Sequence, residues 1–373
     1  MTRVLLVAGA RPNFMKVAPI LDALDNVGHA GILVHTGQHY DDQMSDAFFR
    51  DLGLPEPAHY LNVGSGTHAT QTARVMMAFE PVLRSERPDW VVVVGDVNST
   101  LACALVAVKL RPELGCRIAH VEAGLRSHDW RMPEEVNRVL TDRVCDLLLT
   151  PSSDALPNLM AEGIPAERVV FVGNVMIDTL LQHLPVARTL DVPSRLGLRR
   201  DGYAVATLHR PSNVDDAASL HLLIETLAEV AREMPVVLPL HPRTRVNLER
   251  FSLTQLAAPL RIMDPVGYTE MISLTDGAAV VLTDSGGLQE ETTALGVPCV
   301  TLREQTERPV TVTHGTNHMA PWPLTVNGIL DSYRAALRMG RLEPGARCPE
   351  GWDGRAGRRI VAALLDGARV DAP

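Results

Sequence analysis

A chain of 373 residues exceeds what a single hydrophobic core usually holds, so two domains are expected. Its 46% hydrophobic and 21% charged residues are those of an ordinary globular protein, and the 4% aromatic content leaves Val, Leu and Ala as the apolar mass, as suits buried parallel strands. A formal charge of -9 argues against a nucleic-acid partner, and no apolar run approaches the roughly 20 residues that a membrane span requires.

Taken in order, residues 4–8 are predicted as a strand, 15–24 as a helix and 31–36 as a second strand. Residues 44–52 and 70–83 read as helices, Trp90–Val94 as a fully apolar strand, 100–110 as a helix and Arg117–Val121 as a further strand, before a helix opening at Pro133-Glu134. Such alternation is a βαβ series, which builds a parallel sheet with right-handed crossovers. A second series takes its strands from 169–172, 204–208, 236–240, Val280–Thr283 and 299–302. The turns at Pro151-Ser152-Ser153 and Gly163-Ile164-Pro165 interrupt the pattern. The chain therefore divides into an N-terminal Rossmann-like domain over 1–168, a C-terminal one over 169–355 and a closing helix within 356–373. The fold class is α/β, with two doubly wound domains facing a cleft, because such sheets bind ligands at the carboxyl ends of their strands. The five cysteines are well separated and mostly lie in apolar runs, so they read as reduced core residues and the cytoplasm is the expected compartment.

The most informative junction is Val280–Thr283, which runs into Asp284-Ser285-Gly286-Gly287 and then a helix. Glycines let the backbone approach an anion, and the free N–H groups of the helix point at it, which suits a nucleotide diphosphate. Glycines kept only for close packing are the alternative. Glu291, about one and a half turns into that helix, could accept hydrogen bonds from ribose hydroxyls.

Asp96 and Glu122 each follow a strand, and Glu134 stands in a first helical turn behind Pro133, so three carboxylates are expected on one rim for shared acid–base work. Each also has an ordinary explanation: Asp96 as a cap near Ser99 and Thr100, Glu134 as a first-turn acid with Arg138 as its ion-pair partner. Carboxylates crowded beside a diphosphate would split their pKa values, giving a proton donor and a proton acceptor from similar side chains. Arg11 and Lys16 flank the first strand-to-helix turn, His209 and Arg210 end a strand, and Arg308 follows Glu307. Singly these are surface charges; jointly they suggest anion binding. His35 and His39 lack a Cys or carboxylate to complete a ligand set, so no metal is expected. Asp215-Asp216 reads as a helix cap.

Together, Gly9-Ala10-Arg11-Pro12 with Lys16, Gln38-His39, Gly95-Asp96, His120-Val121-Glu122-Ala123-Gly124-Leu125-Arg126, Pro133-Glu134-Glu135 with Asn137-Arg138, Gly173-Asn174 with Ile177-Asp178, His209-Arg210, residues 284–291 and Thr306-Glu307-Arg308-Pro309 form one ordered set. It resembles the UDP-N-acetylglucosamine 2-epimerase family. The resemblance implies a fold like glycosyltransferase type B with its final helix returning to the first domain. It also implies a UDP-sugar substrate, a homodimer, and neither redox cofactor nor metal. The family interconverts UDP-GlcNAc and UDP-ManNAc by eliminating UDP across C1 and C2 to a 2-acetamidoglucal and adding UDP back with the proton on the other face of C2. By the same resemblance Asp96, Glu122 and Glu134 form the acid–base group, with Asp96 the forward proton acceptor, and His209 lies close to diphosphate and sugar. Substrate binding would fall to Arg11, His39, Ser285, Gly286, Gly287, Glu291 and Arg308, supported by Lys16 and Arg138.

The chain departs from the family pattern at Pro211-Ser212-Asn213, at the shortened segment 62–72 and at Asp41. Those regions help form a second substrate site in relatives that their substrate activates, so such activation is not expected here. Other outcomes stay open on the residues alone: hydrolysis to UDP and N-acetylmannosamine, epimerisation of a modified sugar such as a diacetamido uronic acid, glycosyl transfer, or UDP-sugar sensing. The carboxylate trio argues against the last two.

Overall fold

The computed structural model describes residues 1–38 and 52–367. The predicted helix at 44–52, apart from Leu52, and the candidates His39 and Asp41 lie outside the described residues. The chain forms two compact units, Met1–Thr179 with Glu350–Pro373, and Leu180–Pro349.

The first unit holds β1 (Arg3–Ala8), β2 (Ala30–His35), β3 (His59–Tyr60), β4 (Trp90–Val94), β5 (Arg117–Val121), β6 (Leu147–Thr150) and β7 (Val169–Phe171) in one sheet, in the order β3-β2-β1-β4-β5-β6-β7. All pairs are parallel, and every side chain of β4 is buried, which is why that strand is apolar throughout instead of alternating. The strand order reverses between β1 and β4, where doubly wound sheets open a crevice. The first helix begins at Arg11, earlier than residue 15 as predicted. Pro12 suits a first turn, and the Asn13 carboxamide accepts from the N–H groups of Gly9 and Ala10 at 3.0 Å each while donating to the Val94 carbonyl at 3.1 Å.

One expectation is corrected by the sheet. The strand near 169 was assigned to the second series, but it pairs with β6, placing Val169 opposite Leu148 and Phe171 opposite Thr150. An apolar run marks a strand without marking its sheet, and with β6 unpredicted its neighbour had no place in the first domain. The first unit consequently runs through Thr179. The helix Ala356–Gly367 belongs to this unit as well. Asp178 accepts from the N–H groups of Ala356 at 3.0 Å and Gly357 at 2.8 Å, and Trp90 donates to the Leu364 carbonyl at 3.0 Å.

The second unit holds β8 (Ala204–Thr207), β9 (Val236–Pro239), β10 (Arg261–Met263), β11 (Val280–Thr283), β12 (Cys299–Thr301) and β13 (Asn317–Met319), in the parallel order β10-β9-β8-β11-β12-β13. Its core gathers Leu208, Leu238, Val280, Leu282, Val300 and Tyr333. The edge strands β10 and β13 escaped prediction because they are short and partly polar. Asp216 caps the helix Ala217–Val230 by accepting from the Ser219 N–H at 2.9 Å, as expected. Four cysteines are buried and Cys348 is partly so. Among the described residues no helix is long and apolar enough to cross a membrane.

Candidate active site

In the first unit, Val94 pairs with Val121, so Gly95-Asp96 and Glu122 leave adjacent strands at the same level. Glu122 adopts a left-handed backbone (φ +72°), a conformation that costs a non-glycine residue about 1–3 kcal/mol and persists only where surrounding contacts hold it. Those contacts are its N–H to the Leu149 carbonyl at 3.1 Å and a buried ion pair between its carboxylate and Lys16. Gly95 makes room for the pair: a Cβ there would lie 2.9 Å from Lys16 Nζ and 3.4 Å from Glu122 Oε2, and its φ of +65° is itself one that favours glycine.

Asp96 receives Nη2 and Nε of Arg138 at 2.6 and 2.9 Å, and Nη1 of the same guanidinium reaches Glu135 at 2.6 Å. The expected Arg138–Glu134 pair is therefore not the one formed. Glu135, three residues before Arg138, takes the ion pair and also accepts from Ser127 N–H, Ser127 Oγ and His128 N–H at 3.0, 2.9 and 2.8 Å. Burial opposes the Glu135 charge, but these backbone donors and Arg138 hold its carboxyl below the ordinary value. Glu134, half-buried, lines a cavity of about 240 Å³ together with Asp96, and among the described residues it has no ion-pair or hydrogen-bond partner. Gln38, Gln71, Asn98, Asn137 and His68 complete much of the polar wall. Glu122, beyond the neighbouring strand end, is not among the residues lining that cavity and is buried with Lys16. Arg11 begins the first helix.

In the second unit, β11 delivers Asp284 into the interior and Ser285 to the start of the helix Gly286–Leu295. Asp284 accepts from the N–H groups of His209 and Arg210 at 3.0 Å each, from Asn213 Nδ2 at 3.2 Å, and faces His209 Nδ1 at 2.8 Å. Burial works against its charge, yet His209 and the backbone donors keep its carboxyl below the ordinary value. With Nδ1 held by a carboxylate, Nε2 is the imidazole nitrogen left for chemistry. Ser285 makes no side-chain cap, so the first N–H groups of this helix keep their capacity for an anion.

The two glycines of the turn do different things. A Cβ on Gly286 would fall 2.6 Å from Arg308 Nη1, so that glycine admits the guanidinium; around Gly287 no atom lies within 4 Å of the same position. Arg308 is also bound by Glu290 at 2.8 Å and Glu307 at 2.7 Å. Arg303 and Arg210 reach Glu307 as well, at 2.8 and 3.4 Å. Burial, and Arg303 close by, lower the Arg210 pKa. Glu291 is buried, and burial pushes its carboxyl up to about 8, the Tyr268 hydroxyl partly offsetting and Glu290 adding to it. It is thus a neutral acid near pH 7, able to donate as well as accept. Asp284, Arg303 and Glu290 were not named as site residues from sequence, although an acid directly after the apolar run Val280–Thr283 was a usable signal. Among the described residues no His, Cys, Asp and Glu cluster is arranged to hold a metal ion. His35 is stacked between Phe14 and Tyr60 at 4.9 and 4.5 Å.

A family model described as UDP-N-acetylglucosamine 2-epimerase matches residues 23–365. The chain is 43% identical over 320 residues to the UDP-N-acetylglucosamine 2-epimerase of Methanocaldococcus jannaschii, spanning 84% of this chain and 86% of that one. It is 46% identical over 320 residues to the UDP-2,3-diacetamido-2,3-dideoxy-D-glucuronate 2-epimerase of Pseudomonas aeruginosa, spanning 84% and 87%. The crystal structure of the M. jannaschii UDP-GlcNAc 2-epimerase in complex with UDP-GlcNAc and UDP is similar with a TM-score of 0.87 at 39% identity, over 98% of this chain and 100% of that one. The chain belongs to the UDP-N-acetylglucosamine 2-epimerase family, an isomerase family with the glycosyltransferase-B-like pair of doubly wound sheets.

Proposed function

We propose that this protein interconverts UDP-N-acetylglucosamine and UDP-N-acetylmannosamine by elimination and re-addition of UDP. The first unit supplies the acid–base groups and the second the groups that hold the diphosphate. Asp96 takes the C2 proton, the C2 electron pair becomes the C1=C2 double bond, and the C1–O bond breaks with its pair leaving on UDP. Re-addition reverses these steps with a proton delivered to the opposite face of C2, for which Glu134, on the same cavity as Asp96, is suited. Glu122, paired with Lys16, completes the acid–base group, while Arg308, His209 and the N–H groups of Gly286 and Gly287 meet the charge that grows on the departing diphosphate. Glu291 faces the ribose.

The observation that carries this reading is the placement of Asp96 and Glu134 on one polar cavity, with Arg138 orienting the first. A uronate substrate, as the name of the P. aeruginosa relative indicates for that protein, would call for a cation near the sugar; the described residues lining the cavity include two carboxylates, four amides and one imidazole but no Arg or Lys. The family resemblance further supports a homodimer, and the nucleotide-sugar substrate a cytoplasmic setting. Incubation with UDP-GlcNAc alone in deuterated water, read by NMR, should give both C2 epimers as UDP-sugars with deuterium at C2. Free N-acetylmannosamine with UDP would replace this reading by hydrolysis, and turnover confined to the diacetamido uronate would move the substrate.

A further inference from the structure

His120 lies at the end of β5 within the motif that ends in Glu122, and no catalytic or binding role attaches to it above. Its ring is wholly buried. Nδ1 is 2.6 Å from Oδ1 of Asp142, and Nε2 donates to the Gly95 carbonyl at 2.8 Å. Asp142, also buried, is fixed in turn by Arg126 Nη2 at 2.7 Å and the Gly124 N–H at 3.1 Å. The imidazole therefore connects the last turn of the helix Pro133–Val144 to the peptide unit directly before Asp96. The first half of that helix grips Asp96 from the other side, through Arg138 on its carboxylate and Asn137 Nδ2 on its carbonyl at 2.8 Å. Gly95 links these groups: it directly precedes Asp96, its carbonyl accepts from His120, and it lies so close to Lys16 and Glu122 that a Cβ on it would be 2.9 Å from Nζ and 3.4 Å from Oε2.

We propose that His120 is a positioning residue, which through the Gly95 carbonyl sets the place of Asp96 and of the Lys16–Glu122 pair. This rests on the acid–base reading of Asp96 and Glu122. Misplacing reacting groups by about 1 Å can reduce turnover on the order of 100-fold without touching substrate affinity. Asparagine at 120 retains a donor near the Nδ1 position, toward Asp142, but cannot reach Gly95; glutamine carries its donor out toward the Nε2 position.

The test compares His120→Asn, His120→Gln and Asp142→Asn, with Asp96→Asn and Glu122→Gln alongside, measuring kcat and KM for UDP-GlcNAc, inhibition by UDP, and Tm. Expected for His120→Asn is a kcat lower by roughly 30- to 100-fold, with KM and UDP inhibition within about threefold of the parent. His120→Gln should recover most of that loss at a Tm similar to His120→Asn. Equal losses in both variants that follow Tm would make His120 a packing residue and overturn the proposal, as would a His120→Asn kcat within threefold of the parent while Asp96→Asn and Glu122→Gln are inactive. Full activity in those last two would remove the acid–base reading and this inference with it. If His120→Asn does not fold, Asp142→Asn against His120→Gln decides, since only loss of the former's grip with kcat falling and KM unmoved supports positioning.

Discussion

The two units finish their central strands in contrasting ways. At the β4–β5 end the charges are committed within the protein: Lys16 to Glu122, and Arg138 to both Asp96 and Glu135. At the β8–β11 end, Arg210, Arg303 and Arg308 crowd upon Glu307 beside a helix whose first turn has no side-chain cap. On the proposed reaction, the difference matches the work each end would do. Carboxylates that pass a proton must be held at fixed separation in an interior that tolerates no drift, whereas a diphosphate is best met by donors already gathered and left with capacity to spare.

The largest expected effect tests the first end. Asp96→Asn should lower kcat about 100- to 10,000-fold and abolish C2 deuterium exchange, with UDP inhibition nearly unchanged, because the amide keeps the shape but accepts no proton. A variant that still exchanges C2 would make this end an electrostatic support only. Next come the two glycines of the second end. Gly286→Ala forces Arg308 aside and should cost about 1–3 kcal/mol in urea unfolding. Gly287→Ala enters open space, so stability should hold or improve by up to about 1 kcal/mol while KM for the UDP-sugar rises roughly tenfold. Equal behaviour of the two would remove the distinction drawn between a packing glycine and an anion-facing one.

The effect confined to one pH range concerns Glu291. The Glu291 carboxyl is raised in the folded protein to about 8 from an ordinary 4.5, so the folded state holds a proton that the unfolded chain gives up. That contribution is whole below about pH 4.5 and is lost as pH rises through 8. Glu291→Gln should consequently be the more stable protein at pH 9, by an amount on the order of 5 kcal/mol, and should match the parent near pH 4.5 in thermal melts. A parallel pH course for both would mean that the buried carboxyl is already ionised.

Much of this architecture was legible in the residues. Trp90–Val94, Arg117–Val121 and Val280–Thr283 were placed at their observed limits, since four or five apolar residues bounded by small or charged ones admit few other interpretations. Asp96, Glu122, His209 and Ser285, the candidates expected just beyond such strands, do stand just beyond β4, β5, β8 and β11. Less visible were β6 and the edge strands, and with β6 the sheet that β7 joins. Glu135 as the partner of Arg138 was missed because helical spacing allows both i+3 and i+4 pairs, and only the loop at Ser127-His128 selects between them.

Local pattern thus determined where strands turn into helices, and with that the ends at which ligand-binding groups gather, because periodicity and turn residues act over a few positions. Contacts between distant residues decided the rest. Lys16 meets Glu122 across 106 positions, Arg138 meets Asp96 across 42, and His120 meets Gly95 across 25. Which acid is neutralised, which is left to react and which glycine yields to a guanidinium are fixed by packing and burial, and these exist only once the sheets have assembled.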